Sequence, residues 1–389
     1  MLNQDIIREA TRLTRSGQLV EATALLQRML RGEKAPDPAT PTTRRPALAA
    51  GREPPTIDAQ ANAETKRPRR AAQPAVDIAK NLDRLGLGGA LRRVPPSMAD
   101  IVPDCARFVE GVYANAAGSR AYRLFIPSGY HGQPIPLVIM LHGCTQSPED
   151  FAAGTRMNFI AEEQTCLVAY PAQRAEANQA KCWNWFRPAD QQRGRGEPSL
   201  IAGITRQIVR DHSVDPERVY IAGLSAGAAA AAVMGSTYGD LYAAIGIHSG
   251  LACGAASDLP SALMAMKQGG GPEAAPSDGP PVPTIVFHGD RDTTVHSKNG
   301  DRIIRQSIGR SRTKAKVHRG RVPGGHAYTR TVHTDAAGHG ILEHWEIHGA
   351  GHAWSGGSPA GSYTDPDGPD ATREMLRFFL EHSLQRRRN

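Results

Sequence analysis

Short, unbroken apolar runs recur from about residue 106 onward, and segments with helical spacing separate them. "PLVIML" (136–141), "CLVAY" (166–170) and "PTIVFH" (283–288) set the pattern. Such runs are too short for helices and lack the polar alternation of a half-wet strand, so they read as strands buried on both faces. Further strands are expected at 107–113, 120–126, 218–222, 243–248 and 341–348, with helices at 149–164, 199–212, 226–237 and 368–383. Strands alternating with helices define an α/β class, a mostly parallel sheet flanked by helices on both faces. The first two strands can pair as a hairpin, giving a mixed sheet with an antiparallel edge. Two stretches break the rhythm, 252–282 and 297–340, and each is long enough to form part of a lid or rim.

The rest of the chain has a different composition. Residues 3–31 carry apolar positions at helical spacing around "RSGQ", which predicts a helical hairpin over 1–31. Residues 32–104 are rich in Pro, Ala and Arg and poor in large apolar residues, the composition of a disordered linker. The folded domain is expected at 105–383, followed by a basic tail at 384–389. Residues 1–95 hold 17 Lys and Arg against 10 Asp and Glu, so nearly all of the net charge of +8 sits in this leader. "KRPRR" (66–70) has no interleaved aromatics and reads as solvated linker, with no nucleic-acid partner expected. No apolar run is long enough for a transmembrane segment, and the first residues lack the plan of a secretory signal. Five cysteines, with neither C-x-x-C nor zinc-type spacing, allow one disulfide but no disulfide framework.

The chemistry is concentrated in "IAGLSAGA" (221–228), where a strand meets a helix former at Ser225. A serine at so sharp a turn exposes its hydroxyl from a strained backbone, and side chains at Gly223 or Gly227 would collide across the bend. In the α/β-hydrolase plan such a serine is followed in the chain by an acid and then a histidine. After "PTIVFH" comes "GDRDTTV", with Asp292 the expected acid and Asp290, read mainly as a turn former, the alternative. Seven histidines fall between 318 and 352. His352, in the glycine-flanked loop of "WEIHGAGHAW", is the expected base, while His344 and His348 share one strand face and read as sheet residues. His344, His348 and His352 recur every fourth residue, but without an HExxH helix or an acidic cluster no metal site or other cofactor is expected. Oxyanion donors are expected from the backbone amides of Ala226 and of Cys144 in "LHGCTQ".

"LHGCTQSPEDFA", "CWNWF", "GLSAGAAAAAVM", "HGDRDTTV" and "GAGHAWSGG" together resemble the polyhydroxybutyrate depolymerase family of esterases, which has feruloyl and acetyl-xylan esterase relatives. The resemblance covers about residues 105–383. It implies an α/β-hydrolase fold, Ser225 as nucleophile, Asp292 as acid and His352 as base, with the Cys144 and Ala226 amides as oxyanion hole. It also implies a disulfide between Cys144 and Cys182. Trp183, Trp185 and Trp354 would then line the substrate groove, with core packing the alternative for all three. Family members often have glycine where this chain has Ala228, a change that favours the helix.

The expected activity is serine carboxylester hydrolysis of poly- or oligo-(3-hydroxybutyrate) or short-chain esters, with feruloyl or acetyl-xylan esterase as the alternative. A less favoured reading is a granule-associated binding protein in which the leader touches polymer, and a peptidase on the same fold ranks lower because such enzymes usually add a large gating domain. Secreted polymer-degrading members carry a signal peptide and a separate substrate-binding domain, neither of which is legible here, so soluble oligomers are safer substrates than crystalline polymer. The family resemblance implies an extracellular location and the missing signal a cytoplasmic one.

Overall fold

The computed structural model describes residues 95–269, 282–309 and 311–384, all within the second of two units, Ile78–Asn389. The expected hairpin at 1–31, the linker as far as residue 94, the granule contact assigned to the leader and the tail beyond residue 384 lie outside the described residues.

In chain order the elements begin with α1 (Met98–Ile101), β1 (Arg107–Asn115), β2 (Gly118–Ile126), β3 (Ile135–Leu141), α2 (Pro148–Thr155), α3 (Met157–Gln164) and β4 (Leu167–Pro171). There follow α4 (Gly196–Asp211), β5 (Val214–Leu224), α5 (Ala226–Thr237), β6 (Ala244–His248), α6 (Leu259–Gln268), β7 (Thr284–Gly289) and α7 (Lys298–Ile308). The last are β8 (Lys314–Arg321), β9 (Ala327–Thr334), β10 (Gly340–His348), β11 (Trp354–Ser355), β12 (Thr364–Asp365) and α8 (Ala371–Leu380). Among the described residues ten strands form one sheet in the order β1-β2-β4-β3-β5-β6-β7-β10-β9-β8. The run from β4 to β10 is parallel, and antiparallel strands close both edges.

The period-two geometry of a strand explains the apolar runs. Leu137, Ile139 and Leu141 of β3 pack into one layer with residues of α4, α5, α6 and α7, and Val138 and Met140 into the other with α1, α2, α3 and α8. This is an α/β-hydrolase fold.

Three expectations need correction. The folded body starts upstream of residue 105: Ser97 and Asp100 form a capping box, and Ile101 is buried with its carbonyl accepting a 2.9 Å bond from Asn158 Nδ2. The expected helix 149–164 is two helices, because Arg156 takes a left-handed conformation (φ 55°) that turns Met157 and Asn158 into the core. The 297–340 stretch is not a lid but α7 followed by the β8–β9 hairpin, which extends the sheet. These strands escaped notice because β8 is exposed almost throughout and carries Lys314, Lys316, Arg319 and Arg321, charges that keep an open sheet edge from pairing further. Helix α6, opened by a capping box between Asp258 and Ser261, likewise lies inside the 252–282 stretch.

The second edge is tied to the helical layer by one carboxylate. Glu343 of β10 is buried and accepts bonds from Arg330 of β9 (2.7 and 3.0 Å), Arg377 of α8 (2.8 and 2.9 Å) and the Trp345 indole N–H (3.0 Å). Burial alone would raise its pKa, but the Arg330 hydrogen bond and the charges of Arg377 and Arg330 outweigh burial and hold it below the ordinary carboxylate value. Glu343→Gln should cost about 2–3 kcal/mol, less than a fully enclosed pair because both guanidinium groups are partly exposed. A lowered folded pKa gives stabilisation that is complete above the unfolded value and lost as pH falls. Chemical denaturation should therefore show wild type losing stability as pH falls through and below the ordinary glutamate range of about 4.3, a loss that Glu343→Gln does not show.

Candidate active site

Ser225 sits between β5 and α5 with φ 57° and ψ −119°, a conformation β-carbon-bearing residues rarely adopt, and its N–H donates to the His248 carbonyl (2.9 Å). The flanking glycines are a packing requirement. A β-carbon on Gly227 would lie 2.1 Å from the Leu141 carbonyl oxygen and 2.6 Å from that of His142, and one on Gly223 would lie 2.4 Å from the Gly227 carbonyl carbon. The first turn of α5 is thereby pressed onto the end of β3, which places the loop after β3 beside the serine.

Asp292 is held by its own turn after β7. Its Oδ1 accepts the N–H groups of Thr294 (2.9 Å) and Val295 (2.8 Å), while Oδ2 faces His352 Nδ1 at 2.7 Å and His288 Nε2 at 3.6 Å. Burial would raise its pKa, but the His352 hydrogen bond, the charges of His352 and His288 and the Val295 amide together lower it. A carboxylate at Nδ1 fixes the His352 proton there and leaves Nε2 as a free base. Asp290 does other work: its Oδ2 meets His348 Nδ1 (3.1 Å) and its Oδ1 accepts the Gly349 N–H (2.7 Å), so it caps the backbone after β10 instead of its own. Ser225, Asp292 and His352 follow the C-terminal ends of β5, β7 and β10, the edge where sites on parallel sheets collect. His248 links their loops, since its carbonyl takes the Ser225 N–H and its Nε2 accepts the Ser355 N–H (3.0 Å) three residues past His352. Stacked against Phe287 and Trp354, His248 is pushed down to about 3, first by burial and then by the charges of His288 and His352.

The loop after β3 is fastened from several sides. The Gly143 N–H donates to Gln146 Oε1 (2.9 Å), and the Thr145 N–H donates to the Ala180 carbonyl (2.6 Å). Cys144 and Cys182 form the disulfide that the family resemblance implied. Neither the Cys144 nor the Ala226 amide has an acceptor among the described residues, so both can donate to a third party. Beneath this loop His142 Nε2 accepts the Gln173 N–H (3.1 Å), and burial pushes the imidazole down to about 4, so it stays neutral. Gln173 in turn bonds Glu197, which also accepts the Asn184 N–H (2.7 Å) and Nδ2–H (2.8 Å) and an Arg120 guanidinium (3.4 Å). Burial raises the Glu197 pKa despite these donors. Glu197 thus anchors the segment that carries Cys182, a role the sequence hides because a first-turn helix glutamate is commonplace.

The tryptophans are corrected. Trp183 and Trp354 are fully buried and Trp185 nearly so; the Trp183 indole N–H donates to the His142 carbonyl (3.1 Å) and that of Trp354 to Thr372 Oγ1 (2.9 Å). They brace the site from inside and offer no exposed groove wall. His344 and His348 lie on the sheet as expected, and no group of three or more metal-ligating side chains is gathered among the described residues.

A helix-flanked mixed sheet with a strained serine at the strand-to-helix bend and a buried acid paired with a histidine on the same edge places the chain among the α/β-hydrolases. Residues 120–313 match the family described as Esterase PHB depolymerase, and this segment of the chain belongs to that family. Poly(3-hydroxyalkanoate) depolymerase C of Paucimonas lemoignei is 32% identical over 240 residues, covering 58% of this chain and 56% of that one. Feruloyl esterase B of Neurospora crassa is 30% identical over 152 residues, 38% of this chain and 50% of that one. The chain thus spans about half the length of either relative. Among solved structures, the acetyl xylan esterase from Aspergillus awamori shares the fold with a TM-score of 0.55 at 20% identity, over 71% of this chain and 99% of that one.

The contact under Gly227 gives a direct check. Gly227→Ala must displace backbone instead of a side chain and should cost more than the roughly 1–3 kcal/mol of ordinary overpacking. Thermal unfolding should show a melting temperature lowered by at least about 5 °C, whereas Ala229→Gly in the same helix should cost about 2 kcal/mol, its helix propensity plus one buried methyl. An unchanged melting temperature for Gly227→Ala would refute the close approach.

Proposed function

We propose that the chain is a serine carboxylester hydrolase in which Ser225, His352 and Asp292 act as a triad. The observation that carries this reading is the 2.7 Å pairing of Asp292 with His352 on the sheet edge that also presents Ser225 in its strained bend. His352 Nε2 takes the hydroxyl proton as Ser225 Oγ attacks the ester carbonyl, and the buried Asp292 carboxylate stabilises the imidazolium. The oxyanion accepts hydrogen bonds from the Cys144 and Ala226 amides. Collapse of this intermediate expels the alcohol, which leaves with the proton from His352. Water activated by the same histidine then hydrolyses the acyl-enzyme.

For substrate we infer short-chain esters and soluble 3-hydroxybutyrate oligomers, a reading supported by the similarity to a depolymerase of poly(3-hydroxyalkanoate). The similarities to a feruloyl esterase and to a probable acetylxylan esterase support feruloyl or acetyl-xylan esters as the second reading.

Hydrolysis of p-nitrophenyl butyrate, 3-hydroxybutyrate oligomers, amorphous polyhydroxybutyrate, methyl ferulate and acetylated xylan decides between them. Ser225→Ala should lower kcat on the preferred ester by at least about 10⁴-fold, and Asp292→Asn by about 10²–10⁴-fold. Wild-type turnover by Ser225→Ala would overturn the triad, and preference for ferulate or acetyl-xylan over hydroxybutyrate would move the substrate to the second reading.

A further inference from the structure

Next to the acid of the proposed triad, the buried ring of His288 and the half-buried ring of His344 each keep one ring nitrogen away from solvent. His288 lies at the end of β7 and His344 in β10. In the parallel register His344 is opposite Val286 and Glu346 opposite His288, so both histidines point to the face covered by α7. His288 Nδ1 and His344 Nε2 are buried and have no hydrogen-bond partner among the described residues. Both lie against the same glycine and so near one another: a β-carbon on Gly300 of α7 would lie 3.2 Å from His288 Nδ1 and 3.0 Å from His344 Nε2.

The tautomers follow from the outer nitrogens. His288 Nε2 lies 2.8 Å from the Val295 carbonyl, which can only accept, so Nε2 carries the proton and Nδ1 is a bare acceptor. His344 Nδ1 lies 3.8 Å from Asp301 Oδ1, beyond hydrogen-bond length, and the charge of that carboxylate favours the proton on Nδ1, which leaves Nε2 a second bare acceptor. Burial lowers the pKa of both rings, so neither gains a second proton at neutral pH. Two acceptors cannot bond each other, and leaving both unpaired in the interior is costly. A group that donates two hydrogens satisfies both, and water is the smallest.

We propose that His288 and His344 share one internal water beneath Gly300, and that through it they act as positioning residues for the Asp292 turn. The water donates to His288 Nδ1 and so holds the ring in the tautomer whose Nε2–H grips the Val295 carbonyl. That grip closes the turn whose Val295 and Thr294 amides fix Asp292 Oδ1. The effect on turnover rests on the triad proposed above; the water itself does not.

Two measurements test the proposal. A crystal structure of the full chain that resolves ordered water should show one solvent peak within hydrogen-bond distance of both His288 Nδ1 and His344 Nε2. Direct contact between the rings, or no peak there, would overturn the proposal whatever the enzyme's activity. In kinetics on p-nitrophenyl butyrate, His344→Leu, which gives the water no acceptor, should lower kcat about tenfold with KM within about twofold. His344→Gln supplies an acceptor oxygen and should recover most of that loss. Equal kcat for His344→Leu and wild type would refute the positioning role, and inactivity of Ser225→Ala in the same assay keeps that result distinct from failure of the triad.

Discussion

Everything at the site depends on how closely two backbones approach where α5 begins. The first turn of α5 rests on the backbone carbonyls of Leu141 and His142 with no room for a methyl group, so the helix after Ser225 and the loop after β3 share one contact surface. The geometry of the proposed site is set by backbone packing. Side chains are then free to do secondary jobs, such as the disulfide at Cys144, whose amide remains available for donation.

Around that contact the interior holds buried polar groups among the apolar strands. Neutral histidines at 142 and 248, the Glu197 cluster and the Glu343 ion pairs each join segments far apart in sequence. Each has a cost of burial, and most of the donors and acceptors are matched. His248 shows the logic best. Kept neutral by burial, it spends its carbonyl on the serine's backbone and its ring nitrogen on the loop that carries His352.

What the sequence disclosed follows from how local each signal is. The parallel strands were legible because both faces are buried, and the Ser225 bend because its glycines adjoin it. The Asp292–His352 pairing could be anticipated because chain order restricts the candidates. The β8–β9 hairpin was hidden because a solvated edge strand needs no apolar pattern, and the break at Arg156 because an arginine, and not a glycine or proline, takes the left-handed conformation. Trp183 and Trp185 were misplaced since their polar neighbours suggested a surface, while their rings and the Trp183 N–H are satisfied inside. Glu197, His288 and His344 emerge only in three dimensions, because their partners lie on other elements.

The positive φ of Ser225 also bears on how this chain can change. A residue with a β-carbon in that conformation carries a local stability deficit, on the order of 1–3 kcal/mol, and glycine would relieve it. In the mechanism proposed here, selection for turnover must act against selection for stability at this one position. A library of variants sorted for thermal tolerance alone would drift toward glycine at residue 225, gaining a sturdier protein by discarding its nucleophile.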